Sequence, residues 1–250
     1  MAFKLCVKVD ETLGGLRQLQ EYFTDTIEIQ LLNPVLDVSK FKILPHRNII
    51  LHASPAAYSL SDVADDRTKI SYIENMMRQL THYGDKYTVL FHVGWDKGDA
   101  TTERVVEFLR HLVWLYDVNI LLENTIVVGS HDRAVEVCNT VDSNRVNYCL
   151  DIAHVRAVLN QGVDVQEYYK GLSKVKHIHF SYTSNGDGYK DMPTHGVNHP
   201  SLREVKQDLN VLKQFNISDC TLCPEVSETD YACRLNQIQE IKLLKKGGVV

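Results

Sequence analysis

Eight side chains able to bind a metal, His52, His92, Glu123, Asp151, His154, His179, His195 and Glu225, recur where the chain leaves apolar stretches. Imidazole and carboxylate suit borderline and hard divalent cations, and eight donors exceed the needs of one four-coordinate ion. The pattern predicts a polynuclear metal site. In Asn48-Ile49-Ile50-Leu51-His52 and Tyr87-Thr88-Val89-Leu90-Phe91-His92 a histidine closes an apolar run. One such histidine is readily a core residue with a satisfied hydrogen bond, but recurrence on two segments favours ligation. Glu123, Asp151 and Glu225 follow Leu122, Leu150 and Pro224, where an ionised group needs a cation or hydrogen bonds in compensation. The apolar segments hold no interior arginine and their lysines are read as facing outward. Three acids meeting at one mouth would repel unless cations lay between them.

Asp151-Ile152-Ala153-His154 couples a terminal acid to a histidine three residues on, so both can point into one mouth and serve different ions. In Val175-Lys176-His177-Ile178-His179-Phe180-Ser181, period-two alternation puts Val175, His177, His179 and Ser181 on one face. His179 is the expected ligand, and His177, one layer lower, supports a ligand or fills the core. The stretch 184–199, rich in glycine and polar residues, is either a solvated loop or a substrate-holding one.

The elements that must position these residues are eight apolar runs: Phe3–Val9, Thr26–Leu31, Asn48–Ala53, Tyr87–Val93, Val118–Asn124, Val146–Asp151, Val175–Ser181 and Cys220–Val226. They read as strands. Helical stripes lie between them, including Ile70, Ile73, Met77 and Leu80, then Val105, Leu109, Leu112 and Val113. Thr101 or Thr102, followed by Glu103, suits a helix start. Continuous apolar strands separated by helices imply a parallel sheet, and eight such units in 250 residues is the size of a (β/α)8 TIM barrel in one domain over residues 1–250. A doubly wound open sheet is the alternative. The ligand candidates at the carboxyl ends of the strands favour the barrel, whose chemistry sits there.

These segments in this order resemble the endonuclease IV family of abasic-site endonucleases, within the wider group of sugar-isomerase-like barrels. The resemblance runs from Gly14-Gly15 to Glu225 and rests on Leu51-His52-Ala53-Ser54, Phe91-His92-Val93-Gly94, Leu122-Glu123-Asn124-Thr125, Leu150-Asp151-Ile152-Ala153-His154 and His179. It implies two or three zinc ions, with manganese as the alternative metal. His52 and His92 would hold one ion, Asp151, His179 and Glu225 a second, Glu123 would bridge them, and His154 with His195 would hold a third. Glu123, Asp151 and Glu225 would then be the catalytic carboxylates of a phosphodiesterase that activates hydroxide against damaged DNA. Tyr58, Trp95 and Tyr189 would stack on the substrate, while Lys97, Arg156 and Lys190 would contact phosphate. The chain departs from the family where Pro193-Thr194-His195 replaces an Asp-x-His pair and Gly196-Val197-Asn198-His199-Pro200 replaces a glycine-acid-glycine run.

Two other readings compete. A single-metal sugar isomerase or epimerase would use Glu123, Asp151, His179 and Glu225, but has no need of His52 and His92. A barrel that binds metal without catalysis is the third. The formal charge of −5 gives no basic field of the kind nucleic-acid binders show, although bound divalent cations would reverse the sign locally. Six scattered cysteines suit buried thiols in a reducing compartment, and Cys220 and Cys223, three apart on a strand, face opposite sides and do not share a metal. With no leader-like start and no apolar run of about 20 residues, the expectation is an intracellular, cytoplasmic monomer with DNA as partner and no membrane association.

Overall fold

Along each strand of the sheet the side chains alternate between the barrel interior and the layer beneath the helices. The structure is a computed structural model that describes residues 4–10, 26–31, 48–53, 59–82, 87–94, 100–125, 129–141, 143–159, 161–169, 172, 174–180, 182–183, 191–192, 210–215, 217, 219–224 and 246, with the backbone alone at 10, 157, 180, 182–183, 191–192 and 224. Eight parallel strands form a closed barrel: β1 (Lys4–Asp10), β2 (Thr26–Gln30), β3 (Asn48–His52), β4 (Tyr87–His92), β5 (Asn119–Glu123), β6 (Val146–Asp151), β7 (Val175–Phe180) and β10 (Thr221–Pro224), which pairs with both β7 and β1. Between β7 and β10, the short β8 (Tyr182–Thr183) and β9 (Asp191–Met192) pair antiparallel. The expected (β/α)8 barrel is therefore the fold, and the open sheet is excluded by the β1 to β10 pairing.

Ile27, Ile29, Ile49, Leu51, Val89, Phe91, Ile120, Leu122, Leu150 and Ile178 face outward into the main core, where the helices cover them. Helix α2 (Arg67–Thr81), which follows the single-turn α1 (Leu60–Val63), starts where the Asp66 carboxylate accepts from the Thr68 and Lys69 amides at 2.9 and 3.2 Å. It buries Ile73, Met76, Met77 and Leu80. In α3 (Thr102–Leu115), the Thr101 hydroxyl accepts from the Arg104 amide, and Val105, Val106, Phe108, Leu109 and Leu112 are buried. Helix α4 (Ser130–Val141) buries Ala134, Val137, Cys138 and Val141, and α5 (Ile152–Leu159) and α6 (Val165–Tyr169) follow β6. Among the described residues no helix is long and apolar enough to cross a membrane.

The barrel interior has two unlike halves. Ile50, Leu90, Leu121 and Cys149 make a small apolar cluster on β3 to β6. Buried Lys8, Glu28, His177, His179 and Cys223 occupy β1, β2, β7 and β10. Two expectations are corrected here. Lys8 does not face outward: it is 6% exposed and points into the barrel, because in Val7-Lys8-Val9 the two valines take the outer core. Val175 does not share a face with His177; it packs in the outer core, because the β6 to β7 register shifts, Tyr148 opposing Val175 while the next residue, Cys149, opposes His177. That extra residue on β7 reverses the alternation.

Candidate metal centre

Strand pairing sets the donors side by side. His92 is opposite Glu123, and Asp151 is opposite His179, so residues that are distant in sequence reach the carboxyl end of the barrel at one level. Glu123 is at the centre. Its Oε2 lies 3.3 Å from His52 Nε2 and 3.0 Å from His92 Nε2, and its Oε1 lies 3.1 Å from His179 Nδ1. His52 Nε2 and His92 Nε2 are themselves 3.4 Å apart. Two nitrogens at about 2.1 Å from a tetrahedral ion stand roughly 3.4 Å apart, so this spacing accommodates shared coordination.

The Asp-x-x-His segment has a local cause. Asp151 ends β6 and its Oδ1 accepts from the His154 amide at 2.8 Å, capping the first turn of α5. Its Oδ2 is left facing His154 Nδ1 at 3.4 Å. His154 Nδ1 also lies 2.9 Å from the Asn124 carbonyl oxygen. A carbonyl only accepts, so Nδ1 carries the proton and Nε2 is the nitrogen available to a metal. Glu123, Asp151 and His154 lie close together as donors, as do His52, Glu123 and His179. Asn124 locks the arrangement. Its amide accepts from the Asp151 backbone N–H at 2.8 Å and donates to the Asp151 carbonyl at 3.1 Å and to the Tyr168 hydroxyl at 3.0 Å.

Two residues of this centre escaped the sequence argument, Glu28 and Lys8. Glu28 is fully buried. Its Oε1 lies 2.8 Å from His52 Nδ1 and 3.1 Å from Lys8 Nζ, and its Oε2 lies 2.7 Å from His179 Nε2 and 2.8 Å from His177 Nε2. The signal was present in Thr26-Ile27-Glu28-Ile29-Gln30, where alternation places Glu28 opposite two core isoleucines, but attention to strand ends passes over a mid-strand acid. His177 sits one layer below His179, as its spacing predicts, and contacts Glu28.

The electrostatics follow from burial and neighbours. Burial pushes the carboxyls of Glu28 and Glu123 up, yet the surrounding charges prevail: His179 and Lys8 hold Glu28 well below the usual carboxylate range, and His92, His179 and His52 do the same for Glu123. Burial, then the nearby Lys8 ammonium, lowers His52. Burial also opposes the charged form of His177, but its contacts with Cys223 and Glu28 carry it upward. Two buried carboxylates ringed by imidazoles form a donor set that fits a divalent cation. Cys223 joins Glu28, His177 and His179 in a third group of close donors, but the 2.7 and 2.8 Å carboxylate to imidazole distances are those of N–H···O bonds rather than of two ligands on one ion.

Gly94, at the exit of β4, has a packing reason. A Cβ there would lie 2.5 Å from the Ser61 hydroxyl oxygen, and the Ser61 amide donates to the Val93 carbonyl at 3.1 Å. Of the expected substrate contacts, Arg156 is half-buried on α5, two residues beyond His154. Glu225, His195, Tyr58, Trp95, Lys97, Tyr189 and Lys190 lie outside the described residues.

The sequence profile described as xylose isomerase-like TIM barrel matches residues 16–232. No curated protein matches significantly. Among solved structures, a D-tagatose 3-epimerase-like protein aligns over 98% of this chain and 99% of its own with 16% identity and a TM-score of 0.63. A xylose isomerase domain protein from Planctomyces limnophilus aligns over 98% and 97% with 11% identity and a TM-score of 0.69. The structure described as AsfvAP:AG aligns over 98% and 99% with 13% identity and a TM-score of 0.62. At these identities the likeness concerns the fold.

Proposed function

The chain belongs to the xylose isomerase-like TIM barrel family, and from that premise we propose that it is a metal-dependent phosphodiesterase acting on damaged DNA, in the manner of an abasic-site endonuclease. The observation that carries this reading is the division of Glu123: one oxygen faces His52 and His92, the other faces His179. A carboxylate so divided suits two ions, and a phosphodiester with a pentavalent transition state is the substrate class that rewards two. His52, His92 and Glu123 would hold one ion, and Glu123, Asp151, His179 and Glu225 the other, with His154 and His195 available to a third. Zinc suits these ligands, and manganese is the alternative. Bound there, the ions would supply Lewis acidity, neutralising phosphate charge and making water a better nucleophile at neutral pH. The chain's own residues hold the donors: Asn124 fixes Asp151 and His154, and the deep burial of Glu123 keeps bulk water from competing for its charge. Tyr58, Trp95 and Tyr189 would stack on the substrate and Lys97, Arg156 and Lys190 would contact its phosphates.

A second reading, a single-metal sugar isomerase or epimerase, draws on the epimerases among the structural neighbours and on one contact. Lys8 Nζ lies 2.9 Å from His52 Nδ1. An ammonium can only donate, so that contact, if it ruled, would put the imidazole proton on Nε2 and withdraw His52 from ligation. The shorter contact of the same nitrogen to Glu28, 2.8 Å, opposes this. Incubating the zinc-loaded protein with a duplex carrying one abasic-site analogue, with and without chelator, separates the two. Strand scission beside the lesion that chelator abolishes is the expected result. Absence of scission together with epimerisation of a ketose would overturn the nuclease reading in favour of the sugar enzyme.

A further inference from the structure

Glu28 is fully buried, and it touches two of the residues assigned to metal. A carboxylate offers only lone pairs, so every ring nitrogen hydrogen-bonded to it must carry a proton. Glu28 Oε1 at 2.8 Å therefore places a proton on His52 Nδ1, and Oε2 at 2.7 Å places one on His179 Nε2. Glu123 is a carboxylate too, so an ion between it and an imidazole would take the place of a proton and meet the lone pair of the other ring nitrogen. In His52 that is Nε2, 3.3 Å from Glu123 Oε2; in His179 it is Nδ1, 3.1 Å from Glu123 Oε1. The two histidines use opposite ring nitrogens, and both lone pairs are turned to Glu123, one to each of its oxygens.

We propose that Glu28 is a positioning residue that selects the ligating nitrogen of His52 and His179 together, and so prepares one ligand for each side of the Glu123 bridge. Lys8 at 3.1 Å and His177 at 2.8 Å hold Glu28 in place at the floor of the mouth. One buried carboxylate thus does for two histidines what an outer carboxylate ordinarily does for one. This inference rests on the two-ion reading above, and it makes a claim about proton positions that the reading does not.

The test is an imidazole 1H–15N correlation spectrum of 15N-histidine-labelled protein, recorded before and after addition of zinc, with zinc affinity measured by chelator competition in the wild type and in Glu28→Gln. In the zinc-loaded protein the expected spectrum has His52 protonated on Nδ1 and His179 on Nε2, with zinc having shifted the opposite nitrogens. In Glu28→Gln both ions should bind about 10- to 100-fold more weakly, because an amide can also donate and no longer dictates the tautomer. A wild type that takes up no zinc would remove the two-ion reading itself. A wild type that binds two ions, with His52 protonated on Nε2 or His179 on Nδ1, would leave that reading standing and overturn the role of Glu28. Undiminished zinc affinity in Glu28→Gln would do the same. Where Glu28→Gln fails to fold, the wild-type spectrum decides.

Discussion

Replacing Glu123 by glutamine keeps the side-chain volume and removes one negative charge from the centre of the mouth. Glu123 is buried, and three histidine nitrogens lie within 3.3 Å of its two oxygens. If it bridges two ions, both should weaken by at least the roughly 10- to 100-fold seen when an outer carboxylate is lost; a 100-fold loss is about 2.8 kcal/mol for each ion. The metal-free protein gives an independent readout. Burial raises the Glu123 carboxyl, but His92, His179 and His52 hold it well below its ordinary value. A depressed folded-state pKa contributes stability that is present above the unfolded value, about 4.3, and is lost as pH falls through the folded value. Glu123→Gln removes that contribution, so stability below about pH 4.3 should fall less steeply, by up to about 1.4 kcal/mol per pH unit for the one proton. Elemental analysis after dialysis against a weak chelator reads the first effect, and urea unfolding in strong chelator from about pH 6 down to about pH 3 reads the second. Two ions retained with wild-type affinity, or an unchanged acid slope, would refute the reasoning.

Asn124→Ala should lower stability by about 1–3 kcal/mol, because it strands the buried Asp151 N–H and carbonyl that Asn124 now satisfies; an unaltered thermal midpoint would contradict this. Gly94→Ala must push the Ser61 hydroxyl away from a 2.5 Å approach, and a loss of about 1–3 kcal/mol is expected, checked by the same melting experiment. The five described cysteines are all buried, and burial raises their thiols, Cys138 to about 12 and Cys220 to about 11. A thiol reagent at mildly alkaline pH should therefore modify no more than one of the six cysteines before unfolding, Cys233 being outside the described residues; rapid reaction of two or more would count against the packing.

The barrel is legible in the sequence because its strands are buried on both sides, so each reads as an apolar run, and the turn to a helical period between runs marks the crossovers. Strand ends were legible for the same reason: a polar residue closing an apolar run, as His52, His92, Glu123 and Asp151 do, stands out. The interior of the polar half was not. Lys8 and Glu28 each lie between two outward-facing apolar residues, and in one strand alone nothing says which face is inside the barrel. Only the pairing of Lys8 with Glu28 across β1 and β2 brings the opposite charges to one level. The displaced Val175 depends on a register shift between β6 and β7, which is a property of two strands and is written in neither. Asn124 adjoins Glu123 in the sequence, yet its hydrogen bonds to Asp151 arise only from the neighbouring strand.

The central claim is that Glu123 joins two ions, and metal stoichiometry tests it most directly. Protein purified without chelator, and again after loading with zinc and removal of excess, is measured by elemental analysis against its peptide concentration. Two or more ions per chain, with at least two lost together in Glu123→Gln, is the predicted result. A single ion per chain in the loaded wild type would contradict the account.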